Sequence, residues 1–358
     1  MKRSFLIFGA AALALVACNK TEVVVNETPQ EIGFKSIASA PTKAGELNGT
    51  TFDREGYVIY ASASQYSKDG VLENGEFFLD QPFKDIAAPK WQHVAEETSA
   101  VADPIYWPIG GAKMDYLAYA LPIGEKANIP APAFNATVVA QDFTVTNWDT
   151  YANQVDLLYS AANSQTSAAN GIASDYVKMT FQHAQALLIF NVKINEAAKN
   201  QLTINSISFV EDPKAATVKG TLRTKGTFTV DNTHNKLAAA WTLDEPGSDY
   251  TMPMDPVSAK SECNLSTVEG VENYSTALSK TAFAQLGETL LVPTQARQDF
   301  TINYTVGGKT MDYTFAVTRG SWDAGKKYIY NLDFTVNEII ITESVVDFEE
   351  NTENATID

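Results

Sequence analysis

Cysteine is nearly missing from this chain: its 358 residues hold two, Cys18 and Cys263. A framework of several disulfides is thereby excluded. The two could in principle pair, but Cys18 has a separate reading given below. Histidine is almost as scarce, with His93, His183 and His234. None has a neighbour at zinc-ligand spacing, and neither C-x-x-C nor H-E-x-x-H occurs, so no metal centre is expected. His183, at the start of an apolar run, reads as a core or edge histidine. A G-x-S-x-G elbow and a D-x-D-x-D-G calcium loop are both absent. Gly110-Gly111 and Gly307-Gly308 read as turns and not phosphate loops, since no helical pattern follows either. The residues form no constellation for catalysis, and no cofactor is expected. Positive charge is also short: 26 Lys and Arg stand against 43 Asp and Glu, a net charge of −17. Nucleic acid and anionic lipid surfaces are therefore not expected as partners. Helical periodicity is limited to Asn195 to Gln201, enough for one or two turns.

Aromatic and β-branched residues are plentiful, and they recur in short runs. Phe300, Ile302, Tyr304 and Val306 alternate with polar residues; Gly307-Gly308 follows; then Met311, Tyr313, Phe315 and Val317 alternate again. Two period-two runs around Gly-Gly predict a β-hairpin. Tyr328, Tyr330, Leu332, Phe334 and Val336 predict a further strand with one buried face. Leu187 to Val192 is continuously apolar, as in a strand covered on both sides. Thr203 to Val210, Thr227 to Val230 and Tyr57 to Ala61 read as strands too. Repeated short strands with turn signals point to an all-β fold of sandwiches, and the length suits two domains of about 150 residues each. The softest seam lies near Tyr176 to Lys178, after the small-residue stretch Ser160 to Ser174. Near the amino end, Ile32 and Phe34 sit two apart and point to one face of a short strand. Ala38 to Arg54 is a Ser/Thr/Gly/Ala/Asn-rich loop. At the other end, Ile339, Ile340, Ile341, Val345, Val346 and Phe348 make an apolar terminal strand, a liability unless something covers it. That strand could complete its own sheet, or be donated to a neighbour. Four or five of its side chains, buried at ~1.5–3 kcal/mol each, would yield about 6–15 kcal/mol before ordering costs. Trp91, Trp107, Trp148, Trp241 and Trp322 have two readings: core fillers, or platforms for a glycan.

Lys2 and Arg3 precede a short apolar run, Phe5 to Val16, with the build of a secretory signal and too short to span a bilayer. Its end, Leu15-Val16-Ala17-Cys18, resembles the lipobox of bacterial lipoproteins. That resemblance implies removal of residues 1–17, lipidation of Cys18, and an anchor whose acyl chains, at about 0.8 kcal/mol per buried CH₂, hold permanently. Asn19 is not the aspartate associated with inner-membrane retention, so the outer membrane is expected.

The order of motifs is more specific than any one of them. After the lipobox come Glu31 to Ile37, Thr42-Lys43-Ala44, Tyr57 to Ala61, Ile105-Tyr106-Trp107-Pro108 and Met114 to Pro122. Val155 to Ser160, Met179 to Ala184 and Tyr328 to Leu332 follow. The series resembles the fimbrillin family, the lipoprotein pilins of Bacteroidales fimbriae, over residues 18–348. The resemblance implies two tandem transthyretin-like β-sandwich domains, here 44–177 and 178–358, behind a tether and removable first strand at 18–43. It implies a surface fimbria built from other such subunits by strand exchange, supporting adhesion. An Arg- or Lys-specific protease would cut between Lys43 and Ala44, with Arg54 and Glu55 as the alternative site. The family often has Arg where this chain has Lys43, so the protease must accept lysine. The strand holding Ile32 and Phe34 would leave, and a strand of about 338–348 from another subunit would replace it. The competing reading is a glycan-binding lipoprotein of the outer-membrane surface, and a glycan or host-surface ligand is compatible with either.

Overall fold

The computed structural model describes residues 30–37, 40–42, 45–47, 56–87, 90–97, 102–108, 110–134, 142–150, 154–166, 176–194, 202–209, 223–232, 236–244, 250–251, 284–293, 295, 297–306, 308–317, 320–334 and 339–347. Nearly all of their regular structure is β, as the strand-and-turn pattern predicts.

An eight-stranded sheet carries the amino-terminal half. Its order is Val177–Thr180, Phe34–Ile37, Lys90–His93, Leu72–Ala87, Tyr57–Tyr66, Lys113–Pro122, Leu158–Gln165 and Gln182–His183. The first and last strands in that order are two halves of one run, broken only at Phe181. The sheet therefore curls until its ends meet, and Ser160 Oγ donates to the Thr180 carbonyl across the meeting point at 2.7 Å. Ile59, Ala61, Ala63, Tyr116, Ala118 and Ala120 point into the space so enclosed, with Phe83, Trp91 and Met179. Their alternates, Val58, Tyr60, Leu117, Tyr119 and Leu121, face outward and are just as buried. Strands covered on both faces lose the polar alternation of a half-exposed strand, which is why Tyr57–Tyr66 begins as an unbroken apolar run.

The cover on that outer face is a second sheet, ordered Ala238–Leu243, Lys225–Asp231, Asp142–Asp149 and Ala133–Phe134. Phe143, Val145, Trp148, Phe228 and Trp241 supply its inner side. Lys225–Asp231 pairs antiparallel with Asp142–Asp149, so this sheet draws strands from both sides of residue 178.

The carboxyl-terminal half is a sandwich of two four-stranded sheets. One is ordered Ala284–Leu291, Ala186–Ile194, Lys326–Phe334, Ile339–Asp347; the other Tyr250–Thr251, Leu202–Phe209, Phe300–Val306, Lys309–Phe315. Leu188, Phe190, Phe209, Phe300, Ile302, Trp322 and Tyr330 fill the space between. The expected hairpin is present, paired from Phe300↔Phe315 to Val306↔Lys309. Gly308 in its turn has φ +78°, a conformation open to glycine without strain. Leu187 to Val192 lies in the central strand of its sheet, flanked antiparallel by Ala284–Leu291 and parallel by Lys326–Phe334.

All five tryptophans are buried, none more than 9% exposed. The reading of these rings as glycan platforms is thereby corrected: large apolar rings went where they remove the most surface from water. Asn195 to Gln201 lies outside the described residues.

Candidate assembly site

The opening strand, Phe34–Ile37, is four residues long and is held on both edges. Its four residues run parallel to Val177–Thr180, from Phe34↔Val177 to Ile37↔Thr180. On the other side Phe34 pairs antiparallel with Trp91. Just upstream, the Ile32 amide donates to the Ile105 carbonyl at 2.7 Å, and the Trp107 amide donates to the Gln30 carbonyl at 2.8 Å. The Val177 amide donates to the Gly33 carbonyl at 2.8 Å.

Ile32 and Phe34 fit the expectation that they share one buried face, both being fully buried in the amino-terminal core. The Phe34 ring meets Phe83 edge-on at 4.7 Å and Tyr116 edge-on at 5.5 Å. Lys35, on the opposite face, lies with Nζ 5.3 Å from the centre of the Tyr176 ring. Two seats of this kind are worth about 3–6 kcal/mol of gross burial. No other described strand lies between Lys90–His93 and Val177–Thr180, so the opening strand is the piece that closes the curled sheet.

Ala40–Thr42 pairs with Gly45–Leu47, Thr42 facing Gly45. A pairing therefore brackets residues 43 and 44, within a stretch whose composition suggested a loop. Backbone bonds alone can make so short a ladder; it needs no buried face. Lys43, Ala44, Arg54, Glu55, Cys18 and Phe348 lie outside the described residues.

The closing strand, Ile339–Asp347, pairs along all nine residues with Lys326–Phe334 and forms the edge of its sheet. In this chain it thus completes its own sheet, one of the two arrangements left open by the sequence. Its two halves differ. Ile339 is buried in the sandwich core and Ile341 packs against it. Ile340 and Val345 are each 45% exposed, and Val346 is half-buried. Between the halves, Arg297 Nη1 donates to Glu343 Oε1 at 2.5 Å, both side chains being largely buried. The arginine is itself fixed, its Nε donating to the Ser321 carbonyl at 3.1 Å and its guanidinium lying 4.5 Å from the Tyr328 ring centre. Burial pushes the Glu343 carboxyl above its ordinary range, and Arg297 offsets this only in part. Sequence reasoning missed this pair, because 46 residues separate its members and no local pattern marks either.

His183 is a core histidine, as expected. It is 3% exposed, with Nδ1 2.8 Å from Asp156 Oδ1. Among the described residues, no group of three or more His, Cys, Asp or Glu is placed to hold a metal ion.

Comparison with known proteins agrees with this architecture. The fimbrillin-like family profile matches residues 84–347. A fimbrial protein from Bacteroides vulgatus has a similar fold: TM-score 0.53 at 17% identity, covering 89% of this chain and 99% of that one. Candidate cell adhesion proteins from two other species are comparable. The Bacteroides ovatus protein gives a TM-score of 0.54 at 14% identity, covering 89% of this chain and 98% of that one. The Bacteroides uniformis protein gives 0.50 at 14% identity, covering 90% and 99%. At such identities the likeness establishes the fold. No curated protein sequence matches the chain.

Proposed function

Because the chain belongs to the fimbrillin-like family, we propose that it is a structural subunit, of the stalk or accessory kind, of a cell-surface fimbria that supports adhesion. In this reading the precursor is held at the outer membrane by lipid on Cys18. An Arg- or Lys-specific protease cuts at Lys43–Ala44, or at Arg54–Glu55, and frees the opening strand. The C-terminal strand of another subunit then takes the vacated seat.

One observation carries the proposal: Ile32 and Phe34 close a curled sheet from a segment bonded along both edges. Loss of that segment would leave unpaired backbone at Val177–Thr180 and two empty apolar seats, each costly in water. A strand supplying the same bonds and side chains removes both costs, which is the physics of strand addition.

The closing strand suggests which part is donated. Ile339, Ile341 and Glu343 are engaged with their own sandwich, whereas Val345 and Val346 are not fully covered. The donated part therefore begins near Ser344. Val346 and Phe348 repeat, in the same chain order and spacing, the aliphatic-then-aromatic pair of Ile32 and Phe34.

Limited trypsin treatment of the purified full chain tests the reading. New amino termini at Ala44 or Glu55, followed by SDS-resistant multimers, are expected. A chain ending at Glu343 should be cleaved equally and stay monomeric. Clean cleavage of the complete chain with no multimers would overturn the proposal.

A further inference from the structure

Asp80, Lys126, Tyr119, Tyr60 and Glu97 converge on the amino-terminal half, away from the opening strand. Asp80 lies in Leu72–Ala87 at an irregularity of the ladder, with φ +50°, a left-handed conformation uncommon outside glycine. Its amide donates to the buried Ser62 hydroxyl at 3.0 Å, which pins the distortion. The carboxyl is so aimed that Lys126 Nζ lies 2.8 Å from Oδ2 while the Tyr119 hydroxyl donates to Oδ1 at 2.6 Å. Lys126 Nζ also contacts the Tyr119 hydroxyl.

Aromatic rings wall the amine. Nζ is 3.8 Å from the centre of the Tyr60 ring and 4.7 Å from that of Tyr119, and the two rings stack at 5.2 Å. Glu97 fixes the surroundings: it accepts from the Tyr60 hydroxyl and, at 2.7 Å, from the Gly124 amide just ahead of Lys126. Burial pulls the Lys126 ammonium below its ordinary range, although Asp80 and Glu97 act in the other direction. A lysine amine, a carboxyl carbon within reach and a hydroxyl on the carbonyl oxygen are the parts that acyl transfer to an amine needs.

We propose that Lys126 and Asp80 condense spontaneously to an intramolecular amide that covalently staples Leu72–Ala87 to the turn at Lys126–Asn128. The ammonium passes one proton to Oδ2 across their contact, giving a free amine and a carboxylic acid. The amine nitrogen attacks Cγ, and negative charge gathers on Oδ1, where the Tyr119 hydroxyl donates. The nitrogen then gives a second proton to the Oδ2 hydroxyl, which departs as water as the carbonyl re-forms. One ammonium and one carboxylate become one amide and one water, with no change of net charge and no co-reactant. Side-chain exposures of 27% and 30% leave the water a way out. Tyr119 is a catalytic residue of this step; Glu97 is a positioning residue.

Peptide mapping of the full chain by mass spectrometry tests the bond whether or not Cys18 is lipidated. Trypsin should leave the link after Lys126 uncut, and a branched peptide joining Asp80 to Lys126 should appear, lighter than its two parts by one water. K126R and D80A should lack it. Y119F, which keeps both partners, should form it about a hundredfold more slowly or worse, the usual loss for one oxyanion donor. A wild-type digest cut after Lys126, with both peptides at their unlinked masses, overturns the proposal and needs no variant to read. Linkage in Y119F at the wild-type rate overturns the part given to Tyr119.

Discussion

The opening strand has four residues and is paired on both edges, with its own Phe34 and, just upstream, Ile32 fully buried. The closing strand has nine, is paired along one edge, and leaves Ile340 and Val345 each 45% exposed. Length and hold thus run in opposite directions at the two ends of the chain. A short segment seated in the middle of a sheet is kept by what surrounds it. A long segment at an edge is kept by one ladder and by whichever side chains reach the core. The first is hard to lose without exposing apolar surface; the second can lose its far half while its near half stays packed.

Substitutions can break or sharpen this contrast. The largest effect is expected from Phe34→Ala, which empties the seat between Phe83 and Tyr116. Denaturant unfolding of the uncut chain should show a loss of about 3–5 kcal/mol, and a loss below 1 kcal/mol would mean the strand is not the closure described. Ile339→Ala should cost about 2–4 kcal/mol, since its side chain lies in the sandwich core. Ile340→Ala, one residue on, should change stability by no more than about 0.5 kcal/mol. Equal costs at the two positions would erase the distinction between the faces of the closing strand.

The smallest effect concerns Glu343. Its folded-state pKa is raised, burial being the main cause. Between the ordinary glutamate value and the raised one, the folded chain holds more proton than the unfolded chain. This group therefore adds stability as pH falls through that window and loses it as pH rises. Glu343→Gln should remove that part of the pH dependence. Thermal unfolding of both proteins on either side of the window should show the wild type gaining more on acidification; a wild type that gains less would reverse the sign argued for the pair.

Much of the β architecture was legible locally. Alternation around Gly307-Gly308 marked the hairpin, an unbroken apolar run marked the central strand Ala186–Ile194, and the spacing of Ile32 and Phe34 marked a buried face. In each case the signal lies within a few residues, where the period of two acts. What stayed hidden was long-range. Nothing near Lys225–Asp231 says that it will pair with Asp142–Asp149, because a sheet partner leaves no local trace. The tryptophans carried two readings, since an indole's burial depends on what folds over it. The Asp80–Lys126 cluster left no mark at all, for it arises where the buried Ser62 hydroxyl holds a distorted strand.

Phe34–Ile37 lies parallel to Val177–Thr180, and the covalent chain continues from there through Gln182–His183 into Ala186–Ile194. A strand seated in that orientation and drawn lengthwise loads its ladder in shear, so the bonds to Val177–Thr180 resist together instead of peeling in turn. The load then passes along one uninterrupted backbone into the central strand of the sandwich. Tensile strength at the seat thus depends on the direction of pull as well as on the number of bonds.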